Sequence, residues 1–128
     1  MLEGQCLCGG VRYQITGQLG PIIHCHCSQC RKASGASFTT NAGVAAHDFR
    51  FMTGKELIGE FESSPGQFRC FCTRCGSPLI KRNIAKPEEV RLRLGTLDSD
   101  PGAKPTAHIF VSSKAAWVDL ADGLPQRE

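Results

Sequence analysis

The sequence predicts a mostly-β domain of short antiparallel strands, and three observations carry that prediction. Gly and Pro are frequent, 14 and 7 in 128 residues, and punctuate the chain into short segments. Several of those segments alternate apolar and polar residues with the period of a half-buried strand. One pair of them flanks Ser63-Ser64-Pro65-Gly66, which supplies hairpin turn geometry.

In chain order, Val11-Arg12-Tyr13-Gln14-Ile15-Thr16 alternates cleanly and reads as a strand. One short helix is expected after it, with Ser28 as cap, Gln29 to Ala33 as body and Gly35 as terminator. Phe49-Arg50-Phe51 is a brief alternating piece. Leu57 to Glu62 and Gln67 to Phe71 form the hairpin, and Val90 to Leu94 is a further strand. Asp98 to Pro105 is a loop. Ala107 to Val111 and Ala116 to Leu120 read as two late strands, with Trp117 in the core. The length suits a single domain over residues 1–128, with no internal repeat, linker or low-complexity tract.

Composition excludes several function classes. The net charge of +3 is spread over interspersed Lys, Arg, Asp and Glu, so no basic block marks a nucleic-acid footprint. No apolar run approaches a membrane span. Met1-Leu2-Glu3-Gly4-Gln5 lacks the basic start and apolar stretch of a signal peptide, so a cytosolic protein with reduced thiols is expected. Oligomeric state leaves no mark in the sequence.

The cysteines carry the chemistry. Eight of them fall into three groups: Cys6-Leu7-Cys8-Gly9-Gly10, Cys25-His26-Cys27-Ser28-Gln29-Cys30, and Cys70-Phe71-Cys72-Thr73-Arg74-Cys75-Gly76. Spacings this tight suit metal ligands better than disulfide partners. Zinc takes four ligands in a tetrahedron, so the chain must turn at the metal, and glycines beside the cysteines supply that turn. Cys6 and Cys8 need two partners, and Cys72 and Cys75 are the natural pair, giving a closed four-cysteine site that staples the fold. Cys25, Cys27 and Cys30 remain as three ligands with an open fourth position, the pattern of a catalytic zinc. Cys70 is spare. It either closes the second site, crowds the first, or is a buried apolar thiol.

Other residues have two readings each. His24 and His26 face away from Cys25 and Cys27 if the segment is extended, and read as surface or hydrogen-bonded histidines rather than ligands. His47 and His108 show no motif. Arg31, Lys32 and Ser34 either meet an anionic ligand of the open cluster or belong to a solvated, capped turn. No residue stands out as a general base; Asp98, Asp100 and Glu89 fit solvated loops.

Cys6-x-Cys8-Gly9-Gly10, Cys25-His26-Cys27-Ser28-x-Cys30-Arg31-Lys32 and Phe71-Cys72-x-x-Cys75-Gly76-Ser77-Pro78, in that order, resemble the glutathione-dependent formaldehyde-activating (centromere-protein-V/Gfa) family. His108-Ile109-Phe110-Val111, Trp117 and Asp122-Gly123-Leu124-Pro125 are similar to that family's ending. The resemblance implies a β-tent fold and two zinc ions. One would be structural on Cys6, Cys8, Cys72 and Cys75. The other would be catalytic on Cys25, Cys27 and Cys30. It implies a carbon–sulfur lyase that joins or cleaves S-hydroxymethylglutathione, with glutathione or a related small thiol as partner; composition and charge, as above, point to neither nucleic acid nor membrane. Two rival functions are a non-catalytic module that carries glutathione or formaldehyde, and an interaction protein whose zincs are both structural.

Overall fold

The computed structural model describes residues Met1–Glu128. Ten strands and one helix follow the chain as β1 (Leu2–Gln5), β2 (Arg12–Ile15), β3 (Ile22–Cys25), α1 (Ser28–Ser34), β4 (Thr39–Ala45), β5 (Phe49–Thr53), β6 (Ile58–Ser64), β7 (Gln67–Cys72), β8 (Pro78–Asn83), β9 (Glu89–Arg93) and β10 (Ala107–Ile109). They build a three-stranded sheet ordered β1-β2-β5 and a seven-stranded sheet ordered β10-β3-β4-β9-β8-β7-β6. Every pairing is antiparallel except β10 on β3, which is parallel with His108 opposite His24. The mostly-β expectation holds, with this one parallel edge as an addition.

The alternation in β2 does what its period requires. Val11, Tyr13 and Ile15 are buried while Arg12 faces water. They meet Val44, Leu79, Leu92 and Cys72 of the larger sheet in one core shared by both sheets. Tyr13 stacks on Phe49 with ring centroids 5.1 Å apart, and its hydroxyl lies 2.7 Å from Thr96 Oγ1, so the buried phenol keeps a polar partner. The β6–β7 hairpin turns at Pro65-Gly66, where Gly66 has φ 76°. Leu79 is completely buried at the centre of this core. Leu79→Ala is therefore expected to cost about 2–5 kcal/mol, read as a shift in the denaturant midpoint with an unchanged slope.

Four strands were not legible from periodicity. β1 and β3 span four residues each. β4 sits between two partners yet reads Thr-Thr-Asn-Ala-Gly-Val-Ala, with small residues where strand formers are usual. Gly43 is small for a reason: a Cβ there would lie 2.7 Å from Glu89 Oε1. In β8, consecutive Leu79 and Ile80 are both buried, because a bulge at Cys70/Phe71 shifts the pairing.

Four expectations are corrected. The helix runs Ser28–Ser34 and its cap is Cys27, not Ser28; Gly35 ends it at φ 66° as expected. Ala116–Leu120 is no strand, because Val118 N–H bonds Ala115 O at 3.1 Å and Lys114 Nζ bonds Val118 O, turning the chain back on itself. That turn buries Ala115 and leaves Trp117 73% exposed, outside the core. The late strand also stops at Ile109, because Phe110 takes a left-handed backbone with φ 55°.

Candidate functional site

None of the eight cysteines is in a disulfide. The fold draws Cys6, Cys8, Cys72 and Cys75 together, and separately Cys25, Cys27 and Cys30; within each set the ligand atoms lie within 4.8 Å of one another.

The four-cysteine cluster joins two turns far apart in sequence. After β1 the chain reverses, with Gly9 N–H bonding Cys6 O at 3.0 Å and Gly9 at φ 76°. After β7 it reverses again, with Gly76 N–H bonding Cys72 O at 2.7 Å and Gly76 at φ 80°. Leu7 N–H donates to Ser77 Oγ at 2.9 Å and ties one turn to the other. Sulfurs about 2.3 Å from a tetrahedral zinc stand about 3.8 Å from each other. The Cys6–Cys8 and Cys8–Cys72 sulfurs are 3.5 and 3.8 Å apart, so the donor set fits such an ion.

The three-cysteine cluster sits where β3 passes into α1. Cys25 ends the strand, Cys27 caps the helix by accepting from Cys30 N–H at 3.3 Å, and Cys30 lies in the first turn. Cys25 and Cys30 are buried and Cys27 is half-exposed, so one side of the cluster is open. The Cys30 thiol is held down to about 4, chiefly by the neighbouring Cys25 thiol, with Thr39, Cys27 and Arg69 assisting. Cys25 moves upward as the partner that keeps its proton. Binding a metal ion at this cluster requires the remaining thiol protons to leave.

The cations at this cluster are not the ones the sequence singles out. Arg69 on β7 approaches Cys30 Sγ at 3.8 and 4.0 Å. Lys81 on β8 and Arg93 on β9 line a cavity of about 350 Å³ whose wall includes Cys25 and Cys30. Arg93 is 92% buried by its 8% exposure, and its Nη2 has no partner. These residues come from three strands adjacent in the sheet, and no local spacing announces them. Of the expected trio, Ser34 Oγ bonds Cys30 O at 2.7 Å inside the helix. Lys32 is exposed, and neither Arg31 nor Lys32 lines that cavity.

Cys70 belongs to neither cluster. It is buried, its thiol donates to Glu60 Oε2 at 3.2 Å, and burial pushes it up to about 12, the state of an unreactive thiol. Neither His24 nor His26 groups with the cysteine sulfurs, and both are hydrogen-bonded. His24 Nδ1 meets Thr40 Oγ1 at 2.8 Å, and His26 is fully buried against His108, which the sequence left without a role.

A mostly-β fold that gathers seven cysteines into a four-sulfur and a three-sulfur cluster defines a thiol-rich domain whose cysteine groups have the donors to hold metal. The chain belongs to the glutathione-dependent formaldehyde-activating enzyme family, whose model matches residues 1–113. A Halomonas elongata protein named "Putative glutathione-dependent formaldehyde-activating enzyme" is 33% identical over 129 residues, covering 94% of this chain and 81% of the relative. A crystal structure of a Rhodobacter sphaeroides protein is similar with a TM-score of 0.64 and 25% identity, over 80% of this chain and 91% of that one. No helix is long and apolar enough to cross a membrane.

Proposed function

We propose that this chain joins or cleaves a thiol–aldehyde adduct, S-hydroxymethylglutathione or a close relative, at a zinc site formed by Cys25, Cys27 and Cys30. A second zinc on Cys6, Cys8, Cys72 and Cys75 is structural. One observation carries the reading: Cys25 and Cys30, beside the half-exposed Cys27, form part of the wall of a cavity rich in cationic side chains.

In the forward direction a thiol adds across the formaldehyde carbonyl, forming one carbon–sulfur bond and moving the thiol proton to oxygen. In reverse, the same bond breaks, the hydroxyl proton is released, and the sulfur leaves as thiolate. That reverse step is a carbon–sulfur lyase reaction. Zinc, when bound, supplies a place for the substrate sulfur as thiolate. The chain's own residues do the rest. Three cysteine thiolates would give the loaded site a negative charge, and Arg69, Lys81 and Arg93 offset it. The same cations suit the carboxylates of glutathione, and the unpartnered Arg93 Nη2 is a buried donor in need of an acceptor. A reducing compartment such as the cytosol keeps such a cluster free of disulfides.

Exchange spectroscopy on formaldehyde and glutathione tests the reading. The protein should raise the exchange rate well above the spontaneous one; equal rates with and without it would leave a carrier rather than an enzyme. Lys81→Gln is expected to raise KM for glutathione about 3- to 10-fold with kcat within twofold, because Lys81 lines the cavity beside Cys25 and Cys30. An unchanged KM would remove this wall from substrate binding.

A further inference from the structure

Three side chains outside the cysteine clusters form a continuous hydrogen-bonded chain. Asp122 Oδ2 lies 2.7 Å from His108 Nε2, and His108 Nδ1 lies 2.8 Å from His26 Nε2. His26 and His108 are 0% and 1% exposed. His26 sits between Cys25 and Cys27, while Asp122 lies beyond the segment the family model matches. We propose that Asp122, His108 and His26 are positioning residues, a relay of fixed tautomers that orients the Cys25–Cys27 loop for metal binding. The proposal rests on the three-cysteine metal reading above.

The tautomers follow from donor and acceptor counting. A carboxylate only accepts, so His108 Nε2 carries the proton that faces Asp122. In neutral His108, Nδ1 is then a lone pair, and His26 must donate to it from Nε2–H. Both rings are thereby locked. His24, His108 and Asp122 also bring three donor atoms within 4.8 Å of one another, but the contact between His108 and Asp122 is a hydrogen bond rather than a shared metal. Two ligands about 2.0–2.1 Å from a tetrahedral zinc stand roughly 3.3 Å apart. The 2.7 Å between His108 Nε2 and Asp122 Oδ2 is that of a hydrogen bond.

The backbone runs along the same route. His26 N–H bonds Ile109 O at 3.0 Å, and β10 pairs with β3 so that Ile109 stands opposite Cys25. The C-terminal segment holds β10 in turn, with His108 N–H to Pro125 O at 2.9 Å and Arg127 N–H to His108 O at 2.8 Å. Phe38 closes the face of the cluster, its ring centroid 5.0 Å from that of His26. The last residues of the chain thus reach the cysteine loop through both backbone and side chains. Groups hydrogen-bonded directly to metal ligands change metal affinity by about 10- to 100-fold when lost, which sets the upper end here, since the relay reaches the cysteines through the backbone of His26, whose Nδ1 has no partner.

Asp122→Asn tests the relay, because Leu124 N–H already bonds Asp122 Oδ1 at 3.1 Å. The amide oxygen is needed there, so the amide NH₂ turns to His108 Nε2 and donates to it. The tautomer of His108 inverts, and that of His26 inverts with it. Nitrogen NMR of the purified protein should show Nε2–H on both rings in the wild type and Nδ1–H on both in Asp122→Asn, with the Cys25 and Cys27 amides shifted. Cobalt titration should show affinity at the three-cysteine cluster reduced about 10- to 100-fold and affinity at the four-cysteine cluster unchanged. Asp122→Glu, which restores a carboxylate, should recover much of the loss. Unchanged tautomers, or a cobalt affinity altered by less than twofold, overturn the relay. A wild type that takes up one metal equivalent removes the metal reading instead, and the tautomers and loop amides then decide whether the relay orients the loop.

Discussion

Cys72→Ser is expected to cost the domain most of its stability, with a fall in melting temperature of at least about 12 °C. Cys72 is fully buried at the end of β7, and its sulfur lies 3.8 Å from that of Cys8, 64 residues away. In the proposed assignment the ion there holds the β1–β2 turn onto the β7–β8 turn, which joins the small sheet to the large one. Structural zinc in peptides contributes on the order of 10–16 kcal/mol to folding. A domain with its own core depends on it less, and a loss of about 4 kcal/mol at roughly 3 °C per kcal/mol sets the expected minimum. Serine adds a second penalty, because a hydroxyl without a partner would occupy a fully buried position. Thermal unfolding followed by circular dichroism, with and without a zinc chelator, reads both effects. The wild type should lose stability on chelation, and Cys72→Ser should melt low in either condition. A variant that melts within 2 °C of the wild type would show that this cluster is no staple.

Much of this architecture was written in local pattern, and the exceptions share a cause. β2, β5 and β9 announce themselves because each alternates apolar and polar residues, and the β6–β7 hairpin because it flanks Ser63-Ser64-Pro65-Gly66; of these only β2 buries its alternate residues cleanly. β4 and β8 do not, because their place is set by neighbours: Gly43 by the approach of Glu89, and the adjacent buried pair Leu79-Ile80 by a bulge in β7. Trp117 misleads for the opposite reason. Its size argues for burial, yet the turn at Lys114–Val118 sets it in water.

The site divides in the same way. Each cysteine group was legible, because ligand spacing is a local property, and the structure brings the expected four and three together. Arg69, Lys81 and Arg93 were not, since they meet only when β7, β8 and β9 lie side by side. Neither was the link from Asp122 through His108 to His26, which spans 96 positions of sequence and depends on a parallel pairing that no periodicity reports.

Cys27→Ser should behave in the opposite way to Cys72→Ser, and the contrast separates the two clusters. Cys27 is half-exposed, and its local structural task is to cap α1 by accepting from Cys30 N–H. Serine is among the best residues for that position, so the substitution preserves the helix start while removing a thiolate. The melting temperature should stay within about 3 °C of the wild type, since one cap bond is exchanged for another. Metal uptake at the three-cysteine cluster should fall by more than about 100-fold, because an unactivated hydroxyl is a poor zinc ligand at neutral pH. Formaldehyde–glutathione exchange should then drop to the spontaneous rate, with the four-cysteine cluster still filled. If Cys27→Ser instead melts as low as Cys72→Ser, both clusters are structural, and an interaction protein becomes the better account. If it folds, loses its metal and still accelerates exchange, the chemistry lies elsewhere, and the cationic cavity rather than the cysteines is the place to look for it.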